Sequence, residues 1–367
     1  MKKILSMMVF VAVTMSAQAK VRLPHVIGDN MVLQQQTDAR LWGWAKPGKT
    51  VTVSTSWSDQ KVTAKAGKDG KWLVKVRTPK AGYEPLSITF DDGEAVTINN
   101  VVSGEVWVCA GQSNMEMPVK GFGMCPVEGY NHHVLDAAQS KGVRSVKIPS
   151  IMRATPQDDA QCEWRQCSPK TVGEFSATGY FFARLLSRTL DIPVGIIEAN
   201  KGGSRVESWL TKENLEKYTN DPTDSVAICK KWDKWDYHRS LLWGNGTFNP
   251  ILNFTVKGIL YYQGCSNVGD PGDQYSQRMK LLVDSGGASL AWVRSRSISC
   301  RLHLGLMTMV TATPSVVPYC VNSSTKPRRL SPTVYWYAPT ISYIPMSSPR
   351  SIPRRNNRWV SVWLMRL

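Results

Sequence analysis

Glu105-Val106-Trp107-Val108-Cys109-Ala110 is an apolar run that leads directly into the turn Gly111-Gln112-Ser113-Asn114-Met115. A short apolar run that ends at a glycine is typical of a buried β-strand. A serine immediately after such a strand is placed where its hydroxyl can face a substrate. The turn is not the G-x-S-x-G nucleophile elbow, because Met115 stands where the last glycine would be. A hydroxyl that caps the next helix is the structural alternative, and the turn alone does not decide between the two.

Two further apolar strands follow along the chain, Pro193-Val194-Gly195-Ile196-Ile197-Glu198-Ala199 and Lys257-Gly258-Ile259-Leu260-Tyr261-Tyr262-Gln263. Residues 175–190 and 274–283 have helical patterns. The apolar residues that share one face of the first helix are Phe181, Leu185, Leu186 and Leu190. Strands that alternate with helices predict an α/β fold with a mainly parallel sheet. Sites in such sheets lie at the carboxyl ends of strands, so the turns after these strands are the candidate site.

The turns after the second and third strands carry groups that suit an oxyanion. Gly202-Gly203 lets backbone N–H groups approach a ligand closely, and such donors stabilise developing negative charge. The run Gln263-Gly264-Cys265-Ser266-Asn267 ends in a side-chain amide that can donate a second hydrogen bond. A plain tight turn and ordinary asparagine turn chemistry are the structural alternatives for these two sites.

The residues before the first of these strands divide into two segments. Residues 1–19 have a basic start, a short apolar run and Ala17-Gln18-Ala19, which predicts a cleaved signal peptide and a periplasmic or secreted protein. No segment has the length and hydrophobicity of a stable membrane span. Residues 20–103 contain short strand-like runs separated by turns such as Pro47-Gly48 and Asp69-Gly70. This spacing predicts a small β-sandwich module.

The net charge of +17 is concentrated at one end of the chain. Residues 285–367 contain eleven Lys or Arg and no Asp or Glu, whereas residues 1–284 hold 34 basic and 28 acidic residues, a net charge of +6. The charge therefore does not indicate a nucleic-acid partner for the rest of the chain. The cysteines and histidines show no zinc-ligand spacing, so we expect no metal and no cofactor. Export makes disulfides possible, with Cys162 and Cys167 as one candidate pair.

Taken together, the three turns resemble the SGNH (GDSL-like) hydrolases and, within them, the sialate O-acetylesterase family. The resemblance rests on Gly111 to Met115, Gly202-Gly203 with Glu207 and Trp209, and Tyr262-Gln263-Gly264 with Ser266-Asn267. It extends over about residues 21–284 and implies a three-layer sandwich, with the hydrolase domain over residues 104–284. It also implies that Ser113 is the nucleophile, and that the Gly203 N–H (or the Gly202 N–H), the Asn267 amide and the Ser113 N–H are oxyanion donors. One departure is Cys265, where the family often has Glu.

A general base for the serine is missing from the expected place. The family resemblance implies a His near the C-terminus, commonly in Asp-x-x-His, and residues 285–367 contain no such motif. We predict that the reading frame slips near Asp284, so that this basic tail is out of frame. Restoring one lost nucleotide permits a His at the position of Ile352, although Asp-x-x-His does not return in strict form and the acid partner stays unidentified.

The resemblance implies a carbohydrate esterase that removes O-acetyl groups from sialic acid, and without the His we expect this chain to be inactive or nearly so. One alternative is an acetylxylan esterase, which shares the serine turn. A second is a non-catalytic sugar-binding relative. A third alternative is a basic nucleic-acid-binding protein, and only the charge of the basic tail supports it. The exact acetylated position and the oligomeric state are left open by the sequence.

Overall fold

The computed structural model describes residues 20–216, 221–230, 239–270 and 274–289, together with the pairs 291–292, 306–307 and 320–321. The predicted signal peptide and most of the basic tail lie outside these residues. The strands are β1 Val32–Gln34, β2 Asp38–Trp44, β3 Thr50–Thr55, β4 Ser58–Lys65, β5 Lys71–Arg77, β6 Gly82–Asp91, β7 Ala95–Gly111, β8 Val143–Lys147, β9 Trp164–Gln166, β10 Val194–Asn200, β11 Thr255–Val256, β12 Gly258–Tyr262, β13 Ala291–Trp292, β14 Leu306–Met307 and β15 Cys320–Val321. The helices are α1 Ser113–Glu116, α2 Tyr130–Ala137, α3 Ala177–Leu190, α4 Lys212–Leu215, α5 Ser225–Lys230 and α6 Gln274–Ser289.

Strands β2 to β6 make an antiparallel β region, whereas β1 pairs parallel with β7. In β5, Trp72, Val74 and Val76 are buried while the residues between them are exposed. This period of two places one apolar face against the core. β2 pairs with β5, and β3 pairs with both β4 and β6, in each case antiparallel.

The strand β7 joins this region to the rest of the chain without a break. Its first part pairs antiparallel with β6, and its last part runs as a buried strand between β10 and β12. The boundary predicted at residue 103 therefore lies inside one 17-residue strand. The guanidinium of Arg144 reinforces this junction by donating to the carbonyl oxygens of Asn30 and Asn100. Burial lowers the pKa of Arg144 to about 10.

The α/β part of the sheet has the strand order β12-β7-β10-β8-β9. β12, β7, β10 and β8 are parallel, whereas β9 is antiparallel to β8. The prediction of a mainly parallel sheet was therefore wrong, because the nine-stranded sheet is mixed. The physical reason is the length of β7, which carries the antiparallel strands of the N-terminal region into the same hydrogen-bonded sheet as the parallel ones.

The helix α3 confirms the predicted helix, but of the predicted apolar face only Leu186 is fully buried. Ser176 caps it by accepting the Gly179 N–H at 3.1 Å, and Asp191 ends it in the left-handed conformation. The residues that α3 buries include Gly179, Tyr180 and Ala183, whereas Leu190 is 52% exposed. A Cβ added at Gly179 would lie 2.8 Å from the Cys109 Sγ, so close packing on β7 selects this face.

Within the described ranges, the cysteines 109, 125, 162, 167, 229 and 265 form no disulfide. The pair suggested by Cys162 and Cys167 is therefore not formed, and burial raises the pKa of both thiols to about 12. The same residues contain no cluster of three acidic, His or Cys side chains that could hold a metal. None of the helices described has the length and apolar character needed to cross a membrane.

Candidate active site

The three strands singled out from the sequence are neighbours, and their carboxyl ends are level. β7 lies between β10 and β12, and both neighbours run parallel to it. Gly111 is the register partner of Asn200 on one side and of Tyr262 on the other. The predicted convergence of the three turns is therefore observed at one edge of the sheet.

Hydrogen bonds tie these three turns into one unit. The side-chain oxygen of Gln112 accepts the Gly264 N–H at 3.0 Å and the Ser266 N–H at 3.4 Å. The Gln112 N–H donates to the carbonyl of Tyr262, and the Lys201 N–H donates to that of Gly111, both at 2.9 Å. The serine turn is thus held from both sides by the turns that carry the candidate oxyanion donors.

Gly111 allows the close approach on which this unit depends. Its φ is +140°, in a region that residues with a side chain rarely adopt. A Cβ at this position would lie 2.2 Å from the carbonyl oxygen of Tyr262. No side chain fits between β7 and β12 at this point, so a glycine is required at the end of the strand.

Ser113 lies at the first position of α1 and is half-buried. The N-cap of this helix is Gln112, and it makes no side-chain capping bond. The structure therefore does not support the alternative in which the Ser113 hydroxyl is a helix cap. Among the residues that the structure describes, none accepts the Ser113 N–H and none bonds to its hydroxyl. Both groups are available to a substrate.

The glycine turn packs against the serine turn through Gly202, and the two N–H groups of the paired glycines differ. A Cβ added at Gly202 would lie 3.6 Å from the Ser113 Cβ, so the second turn abuts the first. The Gly202 N–H donates to the carboxylate of Glu116 at 2.6 Å. Gly203 has a φ of +78°, and no acceptor in the described part of the chain takes its N–H. Of the two glycines left open by the sequence, Gly203 is the one with an available donor.

Asn267 lies at the same edge, yet its amide is fully engaged. Its nitrogen donates to the carboxylates of Glu207 and Asp270, both at 2.8 Å. Its oxygen accepts the Val206 N–H at 3.0 Å and the Gln263 amide at 2.8 Å. In this arrangement Asn267 holds the third turn against the second, and donating to an oxyanion would require one carboxylate contact to break.

Two arginines complete a largely buried charged network around Asn267. Arg278 of α6 donates to Glu207 and, at 3.0 Å, to Asp270, while Arg205 pairs with the same two carboxylates. The Arg278 side chain is 8% exposed and that of Glu207 is 7% exposed. The sequence analysis did not identify Arg278 or Asp270. The sequence did contain an indication of Arg278, because helical spacing places it on the same face as Tyr275 and Leu282, which are buried.

The histidines described by the structure have other partners or face solvent. The His25 ring contacts Asp159 at 3.0 Å. His132 is exposed on α2, and the neighbouring His133 contacts the Glu128 carbonyl at 3.1 Å. His238 and His303 lie outside the described residues. No base for Ser113 is therefore assigned within the described ranges.

Comparisons with known proteins agree with this geometry. Residues 103–293, just over half of the chain, match the family model described as carbohydrate esterase, sialic acid-specific acetylesterase. Human sialate O-acetylesterase is 28% identical over 295 residues, which cover 73% of this chain and 53% of the human protein. The mouse sialate O-acetylesterase is 25% identical over 320 residues, covering 76% of this chain and 58% of the mouse protein.

A solved structure of a carbohydrate esterase is also similar to this chain. A carbohydrate acetylesterase from Xanthomonas citri superimposes with a TM-score of 0.62 and 28% identity, over 73% of this chain and 58% of that chain. The chain spans about half the length of the mammalian relatives that it matches. The family match includes all three turns at the edge of the sheet. The chain belongs to the sialic acid-specific acetylesterase family of carbohydrate esterases.

Proposed function

We propose that this chain descends from an enzyme that removes O-acetyl groups from sialic acid by serine hydrolysis. The observation that carries the proposal is the position of Ser113 at the level ends of β7, β10 and β12, next to the glycine turn. The substrate class comes from the relatives, which are named as sialate O-acetylesterases.

In the proposed reaction, the Ser113 oxygen attacks the acetyl carbonyl and displaces the sugar hydroxyl. The N–H groups of Ser113 and Gly203 would donate to the oxyanion that forms, since both are free of protein acceptors in the described residues. Water would then cleave the acetyl-serine ester and release acetate. Asn267 is the third predicted donor, and it would act after one of its carboxylate contacts is exchanged for the oxyanion.

The proposal includes a reason for weak activity in the chain as written. Serine needs a general base, and His25, His132 and His133 have other surroundings. The family match ends at residue 293, shortly after the predicted frame slip near Asp284. We expect the base to be the His that the restored frame permits at position 352. The chain as written would then retain binding and oxyanion stabilisation, with little turnover.

The test compares acetate release by three proteins: the 367-residue chain, a frame-restored version, and the restored version with Ser113→Ala. Source DNA is first sequenced across codons 280–290 to establish the frame. With O-acetylated sialic acid, we expect turnover by the restored protein alone. Robust turnover by the 367-residue chain would contradict the expected inactivity. Acetate release by the Ser113→Ala protein would remove Ser113 as the nucleophile.

The same assay separates the alternatives. Release from acetylated xylan but not from acetylated sialate would assign an acetylxylan esterase. A frame-restored protein that releases no acetate, and that binds sugars equally with and without Ser113, would be a non-catalytic sugar-binding relative. The predicted signal peptide further leads us to propose export, which fractionation of the host cells would test.

A further inference from the structure

The carboxylate of Glu116 links the serine turn to the glycine turn. Glu116 is the last residue of α1, three positions after Ser113. One of its oxygens accepts the Gly202 N–H at 2.6 Å, and the other lies 3.5 Å from the Lys201 ammonium. The Glu116 side chain is 18% exposed, so this contact is largely shielded from water. A hydrogen bond from a backbone N–H to a carboxylate is stronger than one to a neutral oxygen.

This contact distinguishes two adjacent backbone donors. Gly202 and Gly203 are neighbours at the end of β10, and only the Gly202 N–H is taken by the protein within the described residues. A Cβ at Gly202 would lie 2.8 Å from a Glu116 oxygen and 3.6 Å from the Ser113 Cβ. Gly202 therefore lies against both the serine turn and the carboxylate, and a side chain on this glycine would force the Glu116 carboxylate to shift.

We propose that Glu116 is a positioning residue for the oxyanion site. By accepting the Gly202 N–H, it fixes the glycine turn against α1 and leaves the Gly203 N–H as the donor of that turn that has no protein acceptor in the described residues. If Glu116 served only as the ion-pair partner of Lys201, its carboxylate would not need to accept the Gly202 N–H. This inference rests on the proposed function, because it assigns Gly203 its place relative to the nucleophile.

A boronic acid tests the arrangement without turnover and without a general base. Methylboronic acid resembles the acetyl group, and its boron is trigonal. The Ser113 oxygen forms a bond to boron, its O–H bond breaks, and the proton passes to the buffer. The product is a four-coordinate boronate anion with two hydroxyls, one of which occupies the oxyanion position. Boron-11 NMR distinguishes the trigonal from the four-coordinate form, so titration of the full chain gives a dissociation constant.

The expected result depends on whether the acceptor at position 116 is kept. Glu116→Ala removes it, and we expect the boronate dissociation constant to rise roughly 10- to 100-fold, as for a displaced oxyanion donor. Glu116→Asp keeps the charge but shortens the reach, and it should also weaken the adduct. Glu116→Gln keeps an oxygen that can accept the Gly202 N–H, although through a weaker bond, so its adduct should be weakened less than that of Glu116→Ala.

A matched control removes a carboxylate that lies elsewhere. Asp136 pairs with Arg184 and Arg188 at 2.7 and 2.6 Å, and Asp136→Ala should leave the adduct unchanged. Thermal unfolding of each variant establishes that it is folded.

The positioning role is overturned if folded Glu116→Ala and Glu116→Asp bind the boronate as tightly as the unsubstituted chain. It is also overturned if Glu116→Gln binds the boronate as weakly as Glu116→Ala. A four-coordinate signal that survives Ser113→Ala instead overturns the proposed nucleophile. If the unsubstituted chain forms no boronate adduct, the positioning role of Glu116 and the assignment of Ser113 as nucleophile are both overturned.

Discussion

Replacing Gly111 by alanine should destabilise the fold at the edge of the sheet where the site lies. The φ of +140° is poorly suited to alanine, which costs about 1–3 kcal/mol of backbone strain. The new Cβ would lie 2.2 Å from the Tyr262 carbonyl oxygen, so β7 and β12 must separate there. Separation weakens the 2.9 Å hydrogen bond from the Gln112 N–H to that carbonyl, a further loss of about 1 kcal/mol. The free energy of unfolding should therefore fall by about 2–4 kcal/mol.

Urea denaturation followed by tryptophan fluorescence measures this loss. Gly82→Ala is the matched control, because an added Cβ at Gly82 meets nothing within 4 Å. We expect the control to stay within about 0.5 kcal/mol of the unsubstituted protein. If Gly111→Ala were as stable as Gly82→Ala, the close contact between β7 and β12 would not constrain position 111, and the reasoning would be refuted.

Two further predictions concern buried charges. Arg278→Met leaves the carboxylate of Glu207 buried without this partner, so the free energy of unfolding should fall by about 3–5 kcal/mol, against about 0–1 kcal/mol for Arg165→Met in an exposed ion pair. Equal urea midpoints for these two variants would contradict the importance of the network. Burial raises the pKa of Glu198 above its ordinary 4.5. The stability that the protonated form of Glu198 contributes is therefore fully present below pH 4.5, and it is lost as the pH rises through the pKa of the folded state. Glu198→Gln should therefore gain stability relative to the unsubstituted protein as the pH rises over that interval. If the difference between their urea midpoints does not change with pH, this prediction is refuted.

The residues around Ser113 show how far the sequence leads at the site. The apolar run before Gly111 and the paired glycines predicted a serine at a strand end with backbone donors nearby, and parallel neighbouring strands bring those turns together. The choice between Gly202 and Gly203 was not available from the sequence. It depends on Glu116, whose contact with Gly202 crosses from one turn to another.

Asn267 illustrates the same difficulty for side chains. An asparagine after a strand predicts an available amide, because nothing local in the sequence satisfies it. In the fold, Glu207 and Asp270 converge on that amide and Arg278 of α6 neutralises them. Three separate segments supply these charges, so no periodicity within any one of them indicates the network.

The sequence by itself determined three strands of the α/β part, β7, β10 and β12, and the turns that follow them, because strand and turn formation depend on neighbouring residues. The candidate nucleophile came from the family resemblance of those turns. Only the tertiary structure decided that the sheet is mixed, since β7 continues from the antiparallel region into the parallel one. It also decided the buried face of α3, where Gly179 packs against β7 more closely than a larger residue could. These features depend on which surfaces meet, and close packing between distant segments selects them.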